Sequence, residues 1–466
     1  MSPQNRYCRD QDALAIAPRA PRAYAVISVG VFLALIILPI GFNVGSLFLS
    51  GVRFFLVTLS VPLAVNLLRG HYGALRLPDA FFALHFGWMV LALWMNNPDQ
   101  MVQNAGATGA EFFGAYLLGR ACIRSSDDFL TLIRVLVGCI VLCSPFAIFE
   151  AITGTSLLIE IAGKIPVISA PTDLSIDKRL GLERVQLGFE HPIHWGLFCS
   201  IGTALCFVGL AGQLTLPKRV ALTLITCIAG LSALSSGAIL AIAIQVGLIL
   251  WATLFEKTAK RWVILLGVLC LCYLVVDLAS NRTPLRVFMT YATFSSHSAY
   301  WRATIFEWGM VNVWANPIWG LGLKDWVRPI WMHTPSVDNF WLLIAMRYGL
   351  PGFGLLAAGY IYALWRIGTR SLQVDDPQWK FRRAWMFCML GLTFALMTVH
   401  IWGAIYAMVF FIFGAGMWLW PQKAETAKNS EIHYIQLNPS FPFHKPSQAP
   451  YTRAVVQGFG YSKNPN

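Results

Sequence analysis

The stretch HTPSVDNFWLLIAMRYGLPGFG, His333 to Gly354, decides how the chain is read. A polar segment carrying His333, Asp338 and Asn339 runs directly into an apolar helix, and Arg347 lies inside the apolar part. The chain then turns at Gly349-Leu350-Pro351-Gly352 before a second long apolar run. Titratable groups at the mouth of a membrane helix are costly to hold there, which makes them functional candidates.

The composition around this stretch is that of a membrane protein. Of 466 residues, 57% are hydrophobic and 12% charged, with 18 tryptophans, a profile unlike that of a soluble domain of this length. The formal charge of +13 would suit a nucleic-acid binder. The basic residues, however, sit in short loops between apolar runs and form no basic face, so no nucleic acid is expected. The first 22 residues are polar and the first apolar run is of spanning length, which argues against a cleavable signal peptide. Of the ten cysteines, Cys8 and Cys122 fall at cytoplasmic positions and the rest within apolar runs; structural disulfides are not expected.

A span needs about 17 to 25 residues. Twelve runs qualify: about 23–42, 46–68, 78–96, 104–121, 129–153, 192–211, 219–235, 237–254, 262–279, 340–365, 383–399 and 401–420. The expected fold is therefore an all-α polytopic integral membrane protein. Residues 1–22 form a cytoplasmic N-terminal segment, 23–420 the membrane domain, and 421–466 a polar, aperiodic tail expected to be disordered and cytoplasmic. With the N-terminus inside, 23 of the 35 Lys and Arg fall in inside segments, nine outside, and three (Arg53, Arg134, Arg347) within spans. That bias fixes the expected orientation, with both termini cytoplasmic.

Two outside loops are long. The first, 153–191, contains KRLGLERVQLGFEHPIHWG, with Arg179, Arg184, Glu190, His191 and His194 near the start of the sixth span. The second, 280–339, is rich in tryptophan, and within it HSAYWRATIFEWGMVNVWA reads as a helix ending before Asn316-Pro317. Its indoles either stack on sugars or, the favoured reading, lie in the membrane interface where Trp is enriched.

Arg53 lies about seven residues into the second span from outside and Glu111 about seven into the fourth, both roughly 10 Å deep at 1.5 Å per residue. Opposite charges at matched depth are expected to pair when buried, lining or bracing an outward-facing cavity. Arg347 sits at comparable depth, while Arg134 is near the inner surface and reads as snorkelling.

No Walker loop, HExxH, GxSxG or CxxC pair is present, which removes support for ATPase, metalloprotease, α/β-hydrolase and zinc readings. Neither outer loop has an Asp-X-Asp pair, so no metal and no cofactor is expected. What remains is arginine: Arg184, Arg282, Arg286, Arg302 and Arg328 are all outside, and a guanidinium fork suits phosphate or diphosphate. Asp338, His333, His191 and Glu307 stand near them as proton acceptors. Cationic clamps plus a base suit displacement of a lipid-linked diphosphate by a hydroxyl.

From Trp301-Arg302 through NPIWGLGLKDW (Pro317, Gly320, Gly322) to RYGLPGFG, the chain resembles the O-antigen ligase/polymerase superfamily, membrane enzymes that ligate or polymerise lipid-linked glycans. Arg184, the Gly-Phe-X-His-Pro core at Gly188 to Pro192, Glu150 followed by AITG, and YLLGR at Tyr116–Arg120 fit the same pattern, with the ligase-like region about 184–355. The resemblance implies a metal-independent, inverting glycosyltransferase of GT-C-like membrane type. It would use an undecaprenyl-diphosphate-linked glycan donor and a glycan acceptor at the periplasmic face of the bacterial inner membrane.

By that resemblance Arg184 and Arg302 are diphosphate ligands, and Asp338-Asn339 occupies a His-Asn position whose histidine is the proposed base. Aspartate in place of histidine is a departure, since an ordinary carboxyl near 3.9 is a weak base; His333 is the alternative. Leu234-Ser235-Ser236-Gly237 departs too, where many members carry an arginine after the serine, and Arg282 or Arg286 would substitute. His191, Asn339, Arg347, Arg53 and Glu111 complete the expected substrate-binding set.

The departures favour a polymerase of exopolysaccharide or O-antigen repeats over ligation to a lipid A core. The competing classes are a flippase or transporter, which would usually show internal repeats, and a non-catalytic component of an export machine. Membrane lipid and other polysaccharide export or chain-length components are the remaining expected partners.

Overall fold

A computed structural model describes residues 22–44, 47–166, 168–172, 178–179, 181–281, 284, 287, 296–372 and 376–420. Arg282, Arg286 and the 421–466 tail lie outside the described residues. The elements in chain order are α1 (Arg22–Ile37), β1 (Gly41–Val44), β2 (Leu47–Ser50), α2 (Gly51–Leu68) and α3 (Leu77–Asn96). The fourth, α4, runs as Pro98–Gly109, a π-helical turn Ala110–Gly114 and Ala115–Cys122. Then come α5 (Ser126–Thr153), α6 (Leu157–Gly163), α7 (Pro192–Ala204, extended by a π turn Leu205–Gly209), α8 (Leu216–Leu231), α9 (Ser236–Leu254) and α10 (Arg261–Ala279). The last are α11 (Ser296–Ala315), α12 (Phe340–Gly368), α13 (Pro377–Ala395) and α14 (Gly403–Ala415).

Each of the twelve apolar runs contains a helix: α1 to α5, α7 to α10, and α12 to α14. Among the described residues seven helices are long and apolar enough to cross a membrane, namely α2, α3, α5, α7 with its π turn, α9, α10 and α12; Val26–Ile37 and Gly403–Leu419 are shorter apolar helices. The protein is thus a mostly helical, multi-pass membrane protein. The expectation of a purely helical fold needs one correction. The first run stops at Ile37, and β1 and β2 form an antiparallel hairpin with Gly41 opposite Ser50. Pro39 explains the stop, because it has no N–H to give and disfavours helix at the residue before it.

Burial separates the helices by role. Every residue of α14 except Ala404 is buried, with Phe410 against Phe82 and Phe112, and the Trp385 indole donating to Ile412 O at 2.8 Å. By contrast α10 has no buried residue, and Trp262 in its first turn meets Phe387; an apolar helix so exposed suits a lipid-facing position. The YLLGR stretch closes an internal brace. Arg120 donates Nε to Asp79 Oδ1 at 2.8 Å and Nη2 to Oδ2 at 3.0 Å and to Ala74 O at 2.9 Å, while the Tyr116 hydroxyl also bonds Asp79.

The opening stretch folds as one broken helix. Asn339 caps α12, its Oδ1 accepting from Leu342 N at 3.0 Å, as an N-cap asparagine does. Gly349, at φ 69°, then interrupts the helix. Residues of the NPIWGLG segment fill the gap: Leu321 N bonds Met346 O at 2.7 Å, Gly322 N bonds Arg347 O at 3.0 Å, and Leu350 N bonds Pro317 O at 2.7 Å. A Cβ on Gly349 would collide with Ile318 O, and one on Gly320 with Arg347. From α3, the Trp88 indole donates to Tyr348 O at 2.9 Å and His85 Nδ1 meets Gly352 O at 2.7 Å. Carbonyls freed inside a membrane protein need such partners. The two motifs are halves of one lock.

Most of the 296–339 stretch packs on α12 through a small core of Ile305, Val313, Trp326, Met332 and Leu342. The indoles divide accordingly. Trp326 is buried, its Nε1 bonding Pro335 O at 2.9 Å; Trp319, stacked on Trp88 at 4.9 Å, and Trp331, against Tyr300 and Trp301, are exposed, as is Trp314.

Candidate functional site

The first loop is held under strain. Glu150, near the end of α5, accepts Gln186 N at 2.7 Å and Leu187 N at 3.0 Å. The Ser156 hydroxyl bonds Leu187 O, and Leu187 sits at φ 60°, an uncommon conformation for a leucine. Strain of this kind persists only where surroundings enforce it, and it concentrates at functional sites. Here it delivers Glu190 and His191 to the start of α7. His191 caps that helix, Nδ1 accepting Ile193 N at 3.1 Å, so a neutral ring carries its proton on Nε2.

Across from it, the turn between α8 and α9 contains a second strained residue, Leu234 at φ 45°. Three arginines converge on this turn. Arg179 Nη1 bonds Leu234 O at 2.8 Å, Arg184 Nε bonds Ala233 O at 3.3 Å, and Arg302 Nη2, from α11, bonds Ser236 Oγ at 2.9 Å. The Arg302 Nη1 atom is buried and, among the described residues, has no hydrogen-bond partner. Ser235, the N-cap of α9, makes no side-chain capping bond. The first N–H groups of α9 therefore add the positive end of a helix dipole to three guanidinium groups. Such an arrangement has the donors and the charge that suit an anion.

The electrostatics agree. Burial, then Arg179, lowers Arg184 to about 10. Burial lowers Arg302 while Asp338 opposes the shift and Arg179 adds to it. His191 falls to about 4, through burial and then Arg184 and Arg179. It is neutral at pH 7. A dianion arriving here would relieve mutual repulsion and satisfy the orphaned donor.

Asp338 is half-buried, within the field of Arg302, and accepts the Ser336 hydroxyl at 3.0 Å. His333 is exposed and, among the described residues, makes no hydrogen bond or ion pair. Asn339 is buried with its oxygen engaged in capping α12. Arg347 lies beside the Tyr348 side chain and the break in α12, and its charge reaches His400, which burial chiefly and Arg347 secondarily lower to about 3.

A second polar cluster adjoins through Glu190. Arg53 Nε stands 2.5 Å from Glu111 Oε1, so the pair expected from matched depth is formed. Gly403 N–H also donates to Glu111, and a Cβ at Gly403, where φ is 58°, would lie 2.9 Å from Glu190 Oε1. Burial raises Glu190, against Arg53 and a hydrogen bond from the Trp402 indole. His191, His194 and His400 surround the same indole.

The structure thus brings Arg184, Arg302, His191 and Asp338 together and pairs Arg53 with Glu111, leaving His333 apart. Arg134, read as snorkelling, is exposed and bonds Gln213. Arg179, Ser236, Glu190 and Trp402 were not singled out as site residues by sequence. The available signal for Arg179 was its place five residues before Arg184 in one loop.

Residues 221–357, spanning the α8–α9 turn, α11 and the broken α12, match the family model described as O-antigen ligase. This stretch of the chain is similar to O-antigen ligases. That match supports the ligase/polymerase superfamily and glycosyl-transferring activity in general. No curated protein matches the chain.

Proposed function

We propose that this O-antigen ligase-like protein is a membrane glycan polymerase of exopolysaccharide or O-antigen biosynthesis, working at the periplasmic face of the inner membrane. The observation that carries the reading is the convergence of Arg179, Arg184 and Arg302 on the start of α9, with Arg302 Nη1 unpartnered. In this reading the three guanidinium groups hold the diphosphate of an undecaprenyl-linked donor. Arg179 supplies the charge that the Leu234–Gly237 segment lacks. Arg282 and Arg286 are further proposed ligands, and Arg347 with the Arg53–Glu111 pair braces the acceptor side.

The reaction is a metal-independent displacement with inversion. The acceptor hydroxyl oxygen bonds the anomeric carbon as the bond from that carbon to the diphosphate oxygen breaks. The proton passes to Asp338, and the diphosphate leaves on its carrier, its charge held by arginines already in place. Asp338 is preferred to His333 as base because it shares the field of Arg302 while His333 is exposed.

The test is the surface-glycan profile of cells lacking the native protein, complemented with wild type, Arg302→Ala or Asp338→Asn. Long chains with wild type and single repeats with the variants support a polymerase. Long chains left on the carrier point to ligation instead. Full restoration by both variants would overturn the site.

A further inference from the structure

A cavity of about 510 Å³ opens between α5, α8 and the turn that follows α7. Its walls are apolar, with Gly138, Leu142, Leu214 and Leu222 among them, and its two polar residues are Arg134 and Gln213. Added bulk at Gly138 would meet no atom within 4 Å, and Leu142 is 71% exposed, so the cavity is open along this side of α5.

The depth of Arg134 makes its charge significant. A helix of 28 residues is about 42 Å long and exceeds a hydrocarbon core of about 30 Å by about 6 Å at each end. Arg134 lies eight residues after Ser126, or about 12 Å, and so falls about 6 Å inside the hydrocarbon margin. A guanidinium at that depth requires an anion or strong acceptors. Among the described residues its one hydrogen bond is to Gln213 Oε1, at 2.9 Å, and no carboxylate lines the cavity. Lys380 Nζ, bonded to Ala211 O at 2.8 Å, adds a second cation to the same turn.

We propose that this cavity binds one anionic glycerophospholipid of the bilayer, its phosphodiester on Arg134 and an acyl chain between α5 and α8. The combination of one cationic end and an otherwise oily wall matches that chemistry. A cation in the lining without a carboxylate, with Lys380 on the adjoining turn, favours a net-negative headgroup over a zwitterion. The polyprenyl carrier is not the occupant. Arg134 lies 19 residues, about 29 Å along α5, from Thr153, beyond which the chain leads to Arg179 and Arg184. The site is independent of the proposed activity.

The experiment is native mass spectrometry of the full chain purified in mild detergent, with phosphatidylglycerol, phosphatidylcholine or undecaprenyl phosphate added. One phosphatidylglycerol should be retained by wild type, and retention should fall about tenfold in Arg134→Gln, as expected for loss of one charge-assisted contact. Gly138→Leu, which projects into the cavity, should weaken retention as well. Added phosphatidylglycerol should raise the Tm of wild type and not of Arg134→Gln, a readout that stands even where Gly138→Leu does not fold. Equal retention of phosphatidylglycerol by wild type and Arg134→Gln would overturn the proposal. So would retention of phosphatidylcholine as strong as that of phosphatidylglycerol, or displacement of phosphatidylglycerol by undecaprenyl phosphate.

Discussion

Arg120 and Arg302 lie in the same chain and meet opposite fates. Arg120 is buried with both oxygens of Asp79 and a backbone carbonyl as partners. Arg302 bonds one serine hydroxyl, shares its surroundings with two other arginines, and leaves Nη1 buried without an acceptor. A paired buried cation gains nothing from a ligand. One with a free donor at the head of a helix, with Arg179 as well as Asp338 in its field, is stabilised when an anion arrives. The first region is a brace and the second the proposed anion site.

That contrast can be broken experimentally. The largest effect is expected in Asp338→Asn, which keeps the shape and removes the proton acceptor: transfer in membranes should fall about 10²–10⁴-fold at unchanged protein level. Arg302→Ala should lower transfer about 10²–10³-fold, the loss of one pre-placed donor to developing charge. Arg302→Lys should recover little of it, because an ammonium lacks the fork. Arg120→Ala should act on stability instead, by about 3–5 kcal/mol for a broken buried pair, read as a lower Tm with transfer per folded molecule intact. If Arg120→Ala abolished transfer without lowering Tm, the two arginines would not differ as stated.

The smallest effect concerns acid stability. The His191 ring, held at about 4, lies below the ordinary value near 6.5, so the unfolded chain takes up the proton first as pH falls. Its contribution is therefore intact above about 6.5 and is lost as pH drops toward 4. His191→Gln should flatten that part of the stability profile, measured by thermal unfolding across the pH range.

The sequence was legible where the physics is local or depth-dependent. The apolar runs became helices because each is long and continuous, and the Arg53–Glu111 pair followed from two residue counts. Asn339 stands at a helix start, where asparagine is a common cap, and its structural role was readable there. The arginine cluster was only half legible. Arg184 and Arg302 stood out, yet the meeting of Arg179 with Leu234 joins residues 55 positions apart, and no periodicity encodes it. Glu190 was visible in the first loop, but its partners were hidden for the same reason, since its neighbours Gly403 and Trp402 come from the far end of the chain. The 41–50 hairpin escaped because its apolar residues continue the hydrophobic runs on either side.

The lock in α12 also sets an order of assembly. The carbonyls of Tyr348 and Gly352 find their partners on Trp88 and His85 of α3, some 260 residues upstream. Residues 317–322 must be seated before the break at Gly349 becomes tolerable in lipid. While the ribosome is still translating α4 to α11, the polar atoms of α3 wait without their mates. The last third of the polypeptide thus completes the first, and a nascent chain released before Gly352 would expose that unfinished seam to membrane quality control.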